Sequence, residues 1–189
     1  MARITKEPEV RKQEILETAM AVFYEKGYDK TKMSDIADKI GIAQGLCYRY
    51  FPSKEVLFDS AIEEYAHMMT APMIGIICDK SLTLKQKLER FPNFLNIEKQ
   101  NDTYYQFFHD NNNKKIHDQL SMKICEIMQP YVAAAIKLAH EKGETAITDY
   151  DTVASFTVYG QLGILLDNKL DGNEKIERIR TALSSFISK

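Results

Sequence analysis

The stretch from Met33 to Tyr50 constrains this chain more than any other. Met33, Ile36, Ala37 and Ile40 recur at the spacing of one helix face, and Gly41 follows at once. Ile42 is apolar again, and a very short second segment, Gln44 to Tyr50, runs up to Phe51-Pro52. Glycine supplies the backbone freedom that lets the chain reverse within two or three residues. Ile36, Ala37 and Ile40 anchor the first helix on a core, and Ile42 plugs back into it. The second helix is then free to offer Gln44, Tyr48 and Arg49 outward. That is a helix-turn-helix over about residues 32–51, of a size that fits a DNA major groove.

The flanking sequence is helical too. Pro8 to Lys26 carries Ile15, Leu16, Ala19 and Phe23 on one face and ends at Gly27. Thr31 is placed to cap the next helix, and Ser53 to cap a longer one with Glu55 in its first turn. Val56, Leu57, Ala61, Ile62 and Tyr65 form the expected inward stripe of that helix. Further on, Thr83 to Phe91 is amphipathic through Leu84, Leu88 and Phe91, and Pro92 interrupts the run before 93–98. The segment 102–109 is densely aromatic. Lys114 to Lys142 reads as one long helix with Ile116, Leu120, Ile124, Ile127, Tyr131, Ala134 and Leu138 inward, bent at Pro130 and closed by Gly143. Asp149 to Leu170 and Asn173 to Ile187 make a final pair, divided by Asp171-Gly172. Nothing reads as a strand of any length. With 8 Gly and 5 Pro in 189 residues, an all-β chain would be short of turn residues. The expected class is all-α: a three-helix head with a helix-turn-helix, residues 1–53, and a helical body, residues 54–189.

Charge and cysteine usage narrow the function. The net charge is −2. Through Lys54 there are ten basic and eight acidic residues, so the front is mildly positive and the rest negative. The 3 cysteines, Cys47, Cys78 and Cys125, are odd in number and widely spaced, which suits a reducing cytoplasm rather than a disulfide framework or zinc knuckle. No signal peptide is visible, and no run approaches the ~20 apolar residues of a membrane span. An all-helical enzyme is a rival reading. However, His67, His109, His117 and His140 form no i, i+4 pair, and no glycine-rich phosphate loop or metal motif is present, so no catalytic residue, cofactor or metal is expected.

One longer pattern carries a resemblance. Ile15-Leu16, Ala19, Phe23, Gly27-Tyr28, Thr31, Asp35-Ile36-Ala37, Gly41-Ile42, Gly45, Tyr48-Arg49-Tyr50-Phe51, Ser53-Lys54-Glu55 and Leu57 together resemble the DNA-binding domain of the TetR family of bacterial transcriptional regulators. The likeness covers about residues 9–69. It departs at Ala43, where a Ser is usual, and at Arg49, where His or Tyr is common. The resemblance implies DNA-binding roles for Gln44, Gly45, Tyr48 and Arg49 on the recognition helix, and phosphate contacts for Tyr50 and Lys54. Lys32 and Met33 start the preceding helix, where backbone N–H groups and a cation suit an anion. Phe51 reads as core. Tyr48 suits packing and phosphate contact equally. The charge of Lys54 opposes the helix dipole, a conflict that a nearby phosphate would remove.

The resemblance also implies that the last two helices pair with those of a second copy. Phe156, Gly160, Gly163, Ile176, Ile179 and Leu183 are the expected interface, because apolar residues cover more than one face of 153–166 and the glycines permit close approach. A small, largely apolar effector is expected between 83–98, 102–109 and 114–142. Its candidate lining is Phe91, Phe94, Tyr104, Phe107, Phe108, Tyr131 and Tyr159. The functional expectation is therefore a homodimeric repressor, released from a palindromic operator in double-stranded DNA by that effector. A DNA-binding dimer controlled by a partner protein remains the alternative.

Overall fold

A computed structural model of the chain describes residues 6–90, 114–167 and 169–187. All regular structure among them is helical. The order is α1 (Pro8–Lys26), α2 (Met33–Ile40), α3 (Gln44–Tyr50), α4 (Lys54–Cys78), α5 (Leu84–Arg90), α6 (Lys114–Glu141), α7 (Tyr150–Tyr159), α8 (Leu162–Leu165) and α9 (Gly172–Ile187). No described helix is long and apolar enough to cross a membrane.

The turns follow from a few residues. Gly41 adopts φ 78°, ψ 37°, and its N–H reaches the carbonyls of Ala37 and Asp38. The Ile42 N–H returns to Ala37 O at 3.0 Å, so the Ala37 and Asp38 carbonyls near the end of α2 are satisfied while Ile42 folds back onto the core. Ser53 caps α4 as expected, its hydroxyl accepting from Val56 N at 3.1 Å. Thr31 does not cap α2. Its hydroxyl is buried and donates to Gly27 O at 2.7 Å, tying off the end of α1. The α2 start is held by Asp35, whose carboxylate accepts the Lys32 N–H at 2.9 Å. That bond, with Lys26 nearby, keeps the Asp35 carboxyl below its ordinary pKa. A Ser53→Ala change should lower unfolding stability by about 1 kcal/mol in a denaturant titration, since one α4 N–H loses its partner. No change in midpoint would remove the cap from the account.

One apolar cluster runs from α1 through α2 and α3 into α4 and reaches Leu120 of α6. Ile15, Phe23, Ile36, Cys47 and Leu57 in it are fully buried. Phe58 crosses Phe23 edge-on at 5.1 Å between centroids and lies 4.6 Å from the Tyr28 ring. Val56, expected inward on α4, is 41% exposed; Phe58 and Ala66 take the core face with Leu57, Ala61, Ile62 and Tyr65. A second, smaller cluster joins Ala133 and Ile136 of α6 to Ala154 of α7. Pro130 lies inside α6 between the two and leaves the Glu126 carbonyl without its usual donor. Beyond it the buried positions are Ala133, Ile136 and Ala139 rather than Tyr131, Ala134 and Leu138. Small side chains on that face let α6 approach Ala154 closely.

The helix expected over 149–170 is interrupted. α7 ends at Tyr159, Gly160 N–H donates to Phe156 O at 2.9 Å, and a turn leads into the short α8. A Cβ at position 160 would collide with that same carbonyl oxygen, so the close turn requires glycine.

Candidate nucleic-acid interface

α3 is only seven residues long, and its burial pattern gives it one inner face. Cys47 is fully buried, while Leu46 and Tyr50 are half-buried. Gln44, Gly45, Tyr48 and Arg49 are all exposed. Positions 44 and 48, and 45 and 49, are one helical turn apart, so the four share the outward face. Tyr48 is 45% exposed and in this chain faces out rather than packing. Nothing within 4 Å would meet a Cβ at Gly45, so internal packing does not demand glycine there. A bare backbone at that point allows close approach to a groove wall.

Around this face the head's charges are sorted. Lys26 pairs with Asp35 at 3.3 Å and Lys39 with Glu25 at 2.5 Å. Lys32 and Arg49 are exposed and form no ion pair among the described residues. Both remain available to an external anion. Arg49 can present its guanidinium to a guanine edge in two parallel hydrogen bonds.

Three expected contacts lie deeper than the sequence suggested. The Met33 side chain is 4% exposed, within the core, so only its backbone N–H at the α2 start can face a phosphate. Tyr50 is half-buried against the core, and Phe51, read as core, is 2% exposed. Lys54 is half-buried, donates to Tyr28 O at 2.9 Å and stands 4.2 Å above the Tyr28 ring. The carbonyl and the ring together answer the dipole conflict at the start of α4 inside the chain. Tyr28 is the residue that sequence reasoning left unassigned. It seats Lys54 and packs on Phe23 and Phe58, and its burial pushes its phenol pKa up. Burial likewise pushes the Cys47 thiol up, which leaves it unreactive as packing within α3.

The expected effector and partner sites are placed unevenly. Phe91, Phe94, Tyr104, Phe107 and Phe108 lie outside the described residues. Tyr131 is 39% exposed on α6, and Tyr159 is half-buried at the end of α7. An open groove of about 820 Å³ between α4 and α6 is lined by Asp59, Glu63, Asp118 and Glu126 with Ile62, Gln119, Met122 and Lys123, the lysine paired with Glu126 at 2.8 Å, a charged surface unlike the aromatic pocket expected. On the other side, Phe156 is 70% exposed, with Gly160 and Gly163 also exposed and Leu183 half-buried. Ile176 and Ile179 are 8% and 7% exposed, so they already pack within one chain rather than standing free for a partner.

Comparison with known proteins bears on the same segment. A family model described as "Bacterial regulatory proteins, tetR family" matches residues 15–61. The uncharacterized HTH-type transcriptional regulator YerO of Bacillus subtilis (strain 168) is 25% identical, over 95% of this chain and 69% of its own length. The HTH-type transcriptional repressor KstR2 of Mycobacterium tuberculosis (strain ATCC 25618 / H37Rv) is 37% identical over 41% of this chain and 38% of its own. Among solved structures, a TetR-family transcriptional regulator of Pectobacterium atrosepticum superposes with a TM-score of 0.69 at 21% identity, covering 96% of each chain.

Proposed function

The chain belongs to the TetR family of bacterial transcriptional regulators, and from that premise we propose that it is a homodimeric repressor of a palindromic operator. DNA binding itself comes with the helix-turn-helix. The observation that carries the reading is the sorted recognition helix, with Cys47 inward and Gln44, Gly45, Tyr48 and Arg49 outward. Two such helices reach successive major-groove faces only when related by a twofold axis about one DNA turn, ~34–36 Å, apart. The exposure of Phe156, Gly160 and Gly163 along α7, the turn after it and α8, together with a half-buried Leu183 on α9, supports pairing through these elements. KstR2 is named a repressor, and the same sign of control is the reading adopted here. A small, largely apolar effector acts on the body by favouring a spacing of the heads that no longer fits the operator.

Selection of bound duplexes from a random-sequence library tests the reading. The recovered sites should be palindromic. Arg49→Ala should lose about 1–3 kcal/mol of discrimination at one base pair in each half-site. Lys32→Ala, which removes an exposed cation with no ion pair among the described residues, should weaken all sequences about equally. Asymmetric recovered sites, or equal loss on selected and random DNA for Arg49→Ala, would count against the assignment.

A further inference from the structure

We propose that Leu46 is a specificity-determining residue: its side chain reads the C5 methyl group of a thymine close to the base pair that Arg49 reads. The inference deepens the DNA-reading function above and rests on it. Among the described residues from 42 to 50, Ile42, Cys47 and Tyr50 join the core of the head, and Leu46 does not. Its side chain is half-buried on a helix whose neighbours Gln44, Gly45, Tyr48 and Arg49 are exposed. Its backbone N–H is already held by Ala43 O at 2.8 Å, so the aliphatic side chain alone is left for a groove.

Helix geometry fixes which side of α3 it occupies. With Cys47 inward, Gly45 and Arg49 fall at the middle of the outward face. Leu46 and Tyr48 flank that face on opposite sides, each about 100° round the helix from Cys47. Leu46 precedes Arg49 by three residues, about 4.5 Å along the axis. That distance lies between one and two base-pair steps of ~3.4 Å. A base edge touched by Leu46 is therefore next to the one touched by Arg49, or one further along.

The chemistry of the side chain selects the base. Leucine has no hydrogen-bond donor or acceptor. Set against the amino group of cytosine or adenine, or against N7 and O6 of guanine, it displaces water without replacing the hydrogen bond. Against thymine it meets a methyl group, the apolar feature that the major groove displays. The side chain is short, so the helix axis must lie close to the bases. Gly45 permits that approach: no Cβ stands there, and nothing in the chain lies within 4 Å of where one would be. The longer Arg49 side chain still reaches a guanine edge from a helix held slightly further out. Losing the close approach therefore removes the leucine contact first.

The test uses duplexes recovered from the random library with the full-length protein, re-synthesised with deoxyuridine in place of one thymine at a time. Uracil keeps the pairing and the O4 acceptor and lacks only the methyl group. For wild type, one thymine per half-site, within two base pairs of the guanine read by Arg49, should lose about threefold to fivefold in affinity on that change. Changing it in both half-sites should cost about tenfold or more. Leu46→Ala should bind the thymine and uracil duplexes within about 1.5-fold of each other while keeping its preference for the guanine. Gly45→Ala, which a helix accepts readily, should lose the methyl effect in the same way, and it decides the matter if Leu46→Ala does not fold. A wild type indifferent to uracil at every thymine near that guanine, or a methyl effect that persists in either variant, overturns the role of Leu46. A wild type that recovers no preferred sequence at all overturns the DNA-reading function instead.

Discussion

Phe156→Glu is expected to turn the protein into a monomer and abolish binding to a palindromic site. Phe156 is 70% exposed in the single chain. Covering a phenylalanine side chain is worth about 1.5–3 kcal/mol, and a twofold axis covers it twice. Removing both copies costs about 3–6 kcal/mol, roughly 10²- to 10⁴-fold in the dimer dissociation constant, before the added carboxylates are counted. Size-exclusion chromatography with light scattering reads the mass. Because the side chain contributes little packing within its own chain, helical content should be unchanged. A folded variant that still runs at twice the chain mass would move the interface elsewhere.

The second large effect lies in the head. Phe23→Ala empties a fully buried site against Phe58 and Tyr28 and should cost about 3–5 kcal/mol. That is a large part of the ~5–15 kcal/mol a whole domain commands. DNA binding should vanish at temperatures where wild type binds. The second cluster, around Ala133, Ile136 and Ala154, does not include Phe23. Amide hydrogen exchange should therefore speed up first in α1 to α4, with α7 and the C-terminal half of α6 protected for longer. Uniform acceleration along the chain would mean that the two clusters melt as one.

The helices and turns of the head were legible in the sequence, though the cap of α2 and the depth of Met33, Tyr50 and Lys54 were not, and particular residues say why. Gly27, Gly41 and Ser53 are local signals, and each ends or starts a helix at the position read for it. The four outward residues of α3 follow from a seven-residue helix with one inner face. What escaped the reading depends on neighbours distant in sequence. Val56 and Phe58 are both apolar, and only the Phe23 and Tyr28 rings decide which of them turns inward. In α6 many positions are apolar or small, so periodicity set the stripe beyond Pro130 on Tyr131, Ala134 and Leu138, whereas the packing on Ala154, from outside the helix, selects Ala133 and Ile136. The break at Gly160 looks like continuous helix because its flanks are apolar on both sides. Nothing in the sequence around Lys87 marks it as buried, because the Ile77 and Asp79 carbonyls that its ammonium meets belong to the end of α4.

The apolar cluster that starts at Ile15 does not stop where the helix-turn-helix ends. It continues through Leu57, Phe58, Ala61, Ile62, Tyr65 and Ala66 and takes in Leu120. For protein engineers, that sets where a reading head can be exchanged between relatives. A graft cut at residue 53 would strip the donor head of Phe58 beneath Phe23 and hand it a foreign helix face. A joint placed after Ala66 carries that face along, leaving its contacts with Leu120, Ile124 and Ile127 of α6 to be matched in the recipient. Hybrids of the second kind should assemble and bind the donor's operator under the recipient's control, where the first kind would aggregate.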